Sequence, residues 1–452
     1  MQRLLEKYVR KCPFAVMTRA LAQVFIADHL DDVFDEHREH QYEHQLKFSA
    51  LATSVADVTL NFCENLNQAY KEHREELGVA LTSYYEKVRC IRPSVSEAVV
   101  RHSAEKAIEL QDALDFRPWQ VLPGYQCFAV DGNHLPRTDK RLKALRDSPG
   151  APLPGKVIAR FNLQRQLFDR AYLLVDAHDQ ELMTCDRLVE DLKPRDLLIA
   201  DRHYCIINFF EKIAAASGFF VIRHHGRLKG ELVGKRKRIG EIETGMVYEQ
   251  KMRVRRSDDA MCVRRVTVEL YQPTRDGDCE IHILSNLPLK VDGLKIAEVY
   301  RFRWEEETAF HVLQMTLTCE SSSLGHPHAA LFLFSMAMLA YNLRQVIFAS
   351  LYAEHSDELV DEVSHFHMSI DVSRYTDGML VCLEKDFWDE YVPTEINEFA
   401  ELLRELSRGI NLSDYRKNPR GTKKKKAKRS KNVQSKHVST AKRLKLKTVK
   451  DP

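Results

Sequence analysis

The stretch YQCFAVD, residues 125–131, is an apolar run that ends in an acid, and LLIAD at residues 197–201 has the same form. Short apolar runs of this kind predict buried β-strands. A carboxylate at the end of a buried strand is costly unless a positive charge meets it. Asp131 and Asp201 are therefore candidates for holding cations.

The residues around these two runs predict a sheet crossed by helices. Further strand-like runs lie at residues 157–163, 171–177 and 218–223, and helical stretches lie at about 180–192, 204–216 and 294–317. The resulting order, β-β-β-α-β-α-β and then a long helix, is the skeleton of a ribonuclease H-like α/β fold with a mixed five-stranded sheet. In that skeleton the first and fourth strands are neighbours, so Asp131 and Asp201 are expected to meet.

Four regions are predicted from the patterning. Residues 1–118 lack long Gly- or Pro-rich stretches and repeat apolar residues at helical spacing, which predicts an all-α N-terminal domain. Residues 119–350 form the ribonuclease H-like catalytic domain, with a β-rich insertion at about 226–290. Residues 351–413 are expected to be helical, and residues 414–452 to be a disordered basic tail.

The charge is divided unevenly along the chain. Residues 416–452 carry 16 Lys and Arg against the single acid Asp451, whereas the preceding residues carry 52 basic and 64 acidic side chains. A polycation of this kind predicts binding to a polyanion such as DNA. Its densest run comprises Lys423, Lys424, Lys425 and Lys426.

The composition also excludes several classes of protein. No uninterrupted apolar run reaches the roughly 18 residues of a membrane span, and the first residues lack the apolar core of an export signal. The ten cysteines include no Cys-x-x-Cys pair, so neither a zinc ribbon nor a redox motif is indicated. We therefore expect a cytosolic protein with reduced thiols that does not contact a membrane.

A third acid lies in the predicted helix at 294–317. Tyr300, Arg303, Glu307 and Gln314 follow one another at spacings of three, four and seven residues, and His311 lies near the same face. On its own the Arg303–Glu307 spacing fits an ordinary surface ion pair. In combination with two acids at strand ends, it predicts a site for divalent cations and a phosphodiester.

Helical phase separates the neighbouring side chains from this row. Glu306 lies about 100° and Glu305 about 200° around the helix from Glu307, so neither is expected to replace Glu307 as the third acid of the cation site. Trp304 is expected to belong to the core.

These segments resemble bacterial DDE transposases of the insertion-sequence-4 family. The run VYRFRWEEE at 299–307 resembles the Tyr-x2-Arg-x3-Glu signature of that family. LLIADRHY at 197–204 and FAVDG at 128–132 resemble the blocks around its second and first Asp, and LSNLP at 284–288 resembles the strand before the signature helix. The likeness covers about residues 120–350.

The resemblance implies a function and a set of roles. Asp131, Asp201 and Glu307 would be the catalytic residues and would bind two Mg²⁺ ions, for which Mn²⁺ could substitute. Tyr300 and Arg303 would contact DNA phosphates. The family implies cut-and-paste cleavage and strand transfer at inverted repeats of double-stranded DNA, in the bacterial cytoplasm at the nucleoid. Because two ends must be paired for excision, this mechanism predicts a homodimer.

One departure from the family pattern leaves alternatives open. The signature continues to a Lys seven residues after the Glu, where this chain has Gln314. Gln can donate a hydrogen bond to a phosphate but adds no charge, so part of the contact could move to His311. The alternatives are a weakened or inactive, transposase-derived DNA-binding protein, and a nuclease that cuts without joining.

Overall fold

A mixed sheet of nine strands organises the described part of the computed structural model. The structure describes residues 2–26, 29–39, 46–255, 260–274, 277–383, 385–419 and 437–448. The strands are β1 (Gln126–His134), β2 (Ala151–Leu153), β3 (Lys156–Asn162), β4 (Leu167–Leu174), β5 (Asp196–Ala200), β6 (Phe219–Arg223), β7 (Gly230–Ile242), β8 (Gly245–Arg255), β9 (Ala260–Leu270), β10 (Glu280–Ser285) and β11 (His437–Ser439). The large sheet has the order β4-β3-β1-β5-β6-β10-β9-β8-β7.

Five of these strands have the predicted core topology. β1 pairs antiparallel with β3 and parallel with β5, and β5 pairs parallel with β6. In the β1–β5 ladder Val130 pairs with Ala200, so the residues that follow them, Asp131 and Asp201, leave the ladder side by side. This mixed sheet is consistent with a ribonuclease H-like fold.

The predicted limit of five strands is wrong. The insertion does not form a separate small sheet, because β10 pairs antiparallel with β6 and carries β9, β8 and β7 with it. Without β10, strand β6 would be an open edge, and its residues Phe220 and Ile222 are fully buried. Continuing the sheet satisfies the backbone hydrogen-bonding groups of that apolar edge.

Helices cover both faces of the sheet and form the remainder of the described fold. They are α1 (Gln2–Lys11), α2 (Pro13–Phe25), α3 (His29–His37), α4 (Phe48–Thr59), α5 (Leu66–Glu72), α6 (Arg74–Leu77), α7 (Leu81–Cys90), α8 (Pro93–Ala113), α9 (Cys185–Glu190), α10 (Ile207–Ala215), α11 (Gly293–Arg301), α12 (Arg303–Thr316), α13 (Pro327–Glu354), α14 (Asp357–Asp361), α15 (His365–Cys382), α16 (Lys385–Tyr391), α17 (Ile396–Arg408) and α18 (Thr440–Thr448).

The apolar helix α13 forms the centre of the larger core. It packs against α8, β4, α17, α4 and α2, so helices from both ends of the chain share one core with the sheet. Its length and composition would allow it to cross a membrane, but its apolar window is entirely buried inside the fold. Asn342 bonds α13 to its neighbours: its side-chain amide donates to Ser103 and to the carbonyl of Phe168, and its oxygen accepts from the N–H of Phe168.

The long helix predicted at 294–317 is divided in two at Phe302. The N–H of Phe302 donates to the carbonyl of Val299 at 3.1 Å, and its own carbonyl accepts from the N–H of Glu305 at 3.0 Å. These three-residue bonds form a tighter turn than an α-helix. The bend lets α11 pack on β7 to β9 while α12 packs on β1, and it fixes the direction in which α12 meets the sheet.

The prediction of a disordered tail is wrong for residues 437–448. β11 pairs parallel with β2, with Val438 opposite Pro152, and Thr440 at the start of α18 is fully buried. Lys442 Nζ lies 3.2 Å from Asp176 Oδ2. The basic composition of the tail obscured this short segment, whose buried residues are small or β-branched. Lys423, Lys424, Lys425 and Lys426 lie outside the described residues.

Candidate active site

Asp131 and Asp201 project from the same face of the sheet. Side chains alternate between faces along a strand. In β1, Cys127 and Ala129, which share the phase of Asp131, face the core layer that contains α8 and α13, and in β5 Ile199 has the same relation to Asp201. The intervening side chains face the other layer. The two acids therefore lie side by side where the β1–β5 pairing ends, on the face against which α12 packs. The predicted end of the first strand at Asp131 is wrong, because β1 continues to His134 in its pairing with β3.

Arg303 joins the third acid to the first. Its Nη1 lies 3.2 Å from Asp131 Oδ2, and its Nη2 lies 2.6 Å from Glu307 Oε1. The Arg303 side chain is only 10% exposed, whereas that of Glu307 is 49% exposed. The ion pair along the helix, which the spacing alone also fitted, is present, but it is one half of a bridge from the helix to the strand. Glu307 is thereby brought to the neighbourhood of Asp131.

Tyr300 lies near both Asp201 and this bridge, and its side chain shares a hydrogen bond with that of Arg303. It is half-buried near the end of α11, and burial raises the pKa of its hydroxyl, with the nearby charge of Asp201 acting in the same direction and Arg303 opposing it. The carboxylate of Asp201 accepts a hydrogen bond from the N–H of His203 at 3.2 Å, which fixes it at the start of a short 3-10 turn. The charges of Asp201 and Arg303 thus act on the same tyrosine, in opposite directions.

The electrostatics of the site are dominated by buried acids. Burial raises the pKa of Asp131 from 3.8 to about 6; Arg303 and the N–H of Gly132 oppose the shift, while Glu307 and Glu181 add to it. Glu306 is fully buried, and burial raises its pKa well above the ordinary value. A site with this excess of acids has a strong demand for positive charge.

Acidification is expected to stabilise the metal-free protein through Asp131. Because the folded state binds this proton more tightly than the unfolded chain does, the contribution is fully present below pH 3.8 and is lost as the pH rises through about 6. Asn cannot ionise, so the free energy of unfolding of wild type minus that of Asp131→Asn should fall between these pH values and be flat above pH about 7. Urea unfolding in a chelator measures this; a difference that grows with pH would contradict it.

The donor set fits a hard divalent cation. Such ions prefer carboxylate oxygens, and three carboxylates lie on one face, each in part accessible to solvent. The guanidinium of Arg303 already supplies a positive charge between two of them. In the described ranges no three metal-ligating side chains are arranged as a cluster that could hold an ion.

The remaining residues predicted for the site lie farther along α12 than Glu307. His311 and Gln314 lie on the exposed side of α12, and Gln314 hydrogen-bonds to the side chain of Glu320. The expectation that Trp304 belongs to the core is wrong, because its side chain is 58% exposed. The bend at Phe302 places Trp304 on the outer side of the first turn of α12.

Sequence reasoning missed two acids of the site. Helical phase separates Glu306 from the row of residues that contains Glu307. Its side of the helix, however, faces the strand that carries Asp131, where its side chain is fully buried. Glu181 gave no signal, since it lies in a segment far from any motif. Its carboxylate lies so close to Gly132 that a Cβ there would come within 2.6 Å of Glu181 Oε1.

A comparison with family models supports the interpretation of this region. Residues 123–343 match the transposase DDE domain. The segment is a little under half of the chain and contains Asp131, Asp201 and Glu307. A comparison with curated proteins finds no match. The match confirms the predicted resemblance at the level of a DDE transposase, a class of enzymes that act on DNA and generally use divalent metal ions.

Proposed function

We propose that this chain is the transposase of a bacterial insertion sequence of the insertion-sequence-4 family, and that it excises and rejoins DNA at inverted-repeat ends. The observation that carries the proposal is that Asp131 and Asp201 lie side by side where the parallel β1–β5 pairing ends, on the face where Arg303 connects Asp131 to Glu307. The match of residues 123–343 gives this arrangement its chemical context.

Asp131, Asp201 and Glu307 are the proposed catalytic residues and ligands of two Mg²⁺ ions, with Mn²⁺ as a substitute. Bound there, the ions would activate the attacking water or 3′-hydroxyl and stabilise the leaving oxygen. The chain itself supplies the geometry: the strand ends fix the two Asp carboxylates, and α12 carries Glu307 toward them.

DNA is the proposed partner. Tyr300 and Arg303 would contact phosphates beside the carboxylates, with His311 and Gln314 continuing the row along α12. Gln314 would donate a hydrogen bond without adding a charge. In the insertion, Lys235, Lys237 and Arg238 are exposed on β7 and could contact the phosphodiester backbone. Arg264, a basic residue of β9 in the same insertion, is not proposed to contact DNA, because its side chain is buried and bonded to Glu249 and to backbone carbonyls.

The basic tail is proposed to add affinity that does not depend on DNA sequence. Lys423, Lys424, Lys425 and Lys426 provide a dense positive charge that can neutralise phosphates, so binding should weaken with salt. Two transposon ends must be paired for excision without loss of the element, so we propose a homodimer acting in the bacterial cytoplasm at the nucleoid.

Purified protein is expected to cleave a duplex that carries the end of its own element, in the presence of Mg²⁺, and to join the new 3′-end to a second duplex. The inverted repeats are read from the DNA that flanks the gene. Denaturing gels with labelled strands measure both steps, and a chelator and a duplex with a scrambled end are the controls. Nicks without joined product would indicate a nuclease, and an absence of metal-dependent products would refute the proposal.

A further inference from the structure

We propose that the guanidinium of Arg303 occupies the position between Asp131 and Glu307 that a divalent cation would take. When a divalent ion binds, Arg303 moves from these carboxylates to a DNA phosphate. This inference rests on the proposed function and adds to it an order of events. Arg303 becomes a positioning residue that couples the binding of metal to the binding of DNA.

The contacts of Arg303 are those of a charge that substitutes for an ion. Its two terminal nitrogens reach different carboxylates, Asp131 on the strand at 3.2 Å and Glu307 on the helix at 2.6 Å. The third nitrogen, Nε, is buried and has no hydrogen-bond partner among the described residues. The guanidinium therefore satisfies the demand of the acids for charge while leaving its own hydrogen-bonding capacity incomplete.

A divalent ion bound by these carboxylates would neutralise the charge that holds the guanidinium of Arg303 between them. The ion and the guanidinium would repel each other at close range, and each needs the same carboxylate oxygens. A phosphate offers an alternative, because its oxygens accept the parallel N–H groups of a guanidinium in a fork geometry. Glu307 is half-exposed, so the bridge lies where a DNA backbone could reach it.

Cooperativity follows from this exchange. Without DNA, a metal ion must displace a guanidinium that has no other anion to contact, so its affinity is reduced. DNA supplies that anion and should strengthen metal binding, and by linkage the metal should strengthen DNA binding by the same factor.

The test is Mn²⁺ binding to the metal-free full-length protein, measured by the electron paramagnetic resonance signal of free Mn²⁺ in the absence of DNA. Arg303→Gln is expected to bind Mn²⁺ about tenfold more tightly than wild type, a typical size for linked binding. The matched control is Arg301→Gln, two residues away, whose partner is Glu243 in the β-rich insertion; its affinity should equal that of wild type.

A tighter affinity is not a result that damage to the fold would produce. Unchanged or weaker Mn²⁺ binding by folded Arg303→Gln would overturn the inference. If that variant does not fold, wild type decides: duplex DNA from the end of the element should tighten its Mn²⁺ binding about tenfold, and no change would overturn the inference. The proposed function is tested separately. If Asp131→Asn left Mn²⁺ binding unchanged, the proposed metal site and with it the proposed function would be refuted, whatever the result for Arg303→Gln.

Discussion

Replacing Asp131 with Asn is expected to lower the rate of DNA cleavage by at least about 10³-fold, because the charge of a proposed carboxylate ligand of the divalent ion is lost. The same result is expected for Asp201→Asn and Glu307→Gln. Asn and Gln have nearly the shape of the acids they replace, so the packing of α12 on β1 should survive. The loss should therefore come from the chemistry of the site.

Single-turnover cleavage of the terminal duplex at saturating protein measures the rate, and the thermal unfolding midpoint reports on the fold. The matched control is Glu305→Gln, which removes an acid from the same turn of α12, about 200° around the helix from Glu307. Its rate should remain within about threefold of wild type. Cleavage that persists in all three site variants, or that is lost equally in the control, would contradict the assignment of the three acids.

The sequence allowed the central topology to be predicted because its signals are local. Each core strand contains a short apolar run, and the order of strands and helices leaves few ways to build a sheet. The ends of the strands were less clear, because β1 continues past Asp131 to His134 and β4 spans Leu167–Leu174 where residues 171–177 were predicted. Once β1 and β5 are neighbours, alternation along the strands decides that Asp131 and Asp201 share a face. That part of the candidate site followed from patterns of a few residues each.

The remaining features depend on contacts between distant segments. The spacing of four residues allowed the pair of Arg303 with Glu307 as an ordinary alternative, but the contact with Asp131 depends on how α12 lies against β1, which the bend at Phe302 decides. The burial of Glu306 has the same origin. The continuation of the sheet through β10 and the docking of β11 on β2 are pairings between segments that carry no local mark of their partners.

A second large effect, on stability, is expected at the buried ion pair of Arg160 and Asp169, which joins neighbouring strands β3 and β4. Nε and Nη2 of Arg160 contact the two carboxylate oxygens at 3.0 and 2.7 Å, and its Nη1 donates to the carbonyl of Asp191. Its guanidinium also lies over the ring of Phe128. Asp169→Ala leaves a buried positive charge without its partner and should lower the free energy of unfolding by about 3–5 kcal/mol.

Urea unfolding measures this loss, and the exposed pair of Arg253 with Glu231 supplies the control. The side chains of Arg253 and Glu231 are 36% and 63% exposed, so Glu231→Ala should cost about 1 kcal/mol or less. The double change Arg160→Met with Asp169→Leu identifies the cause of this loss. If Asp169→Ala destabilises the fold because the charge of Arg160 is left without a partner, the double variant should recover much of the lost stability, because apolar side chains can fill the position without a charge to satisfy. A double variant no more stable than Asp169→Ala would instead place the cost in lost packing between β3 and β4.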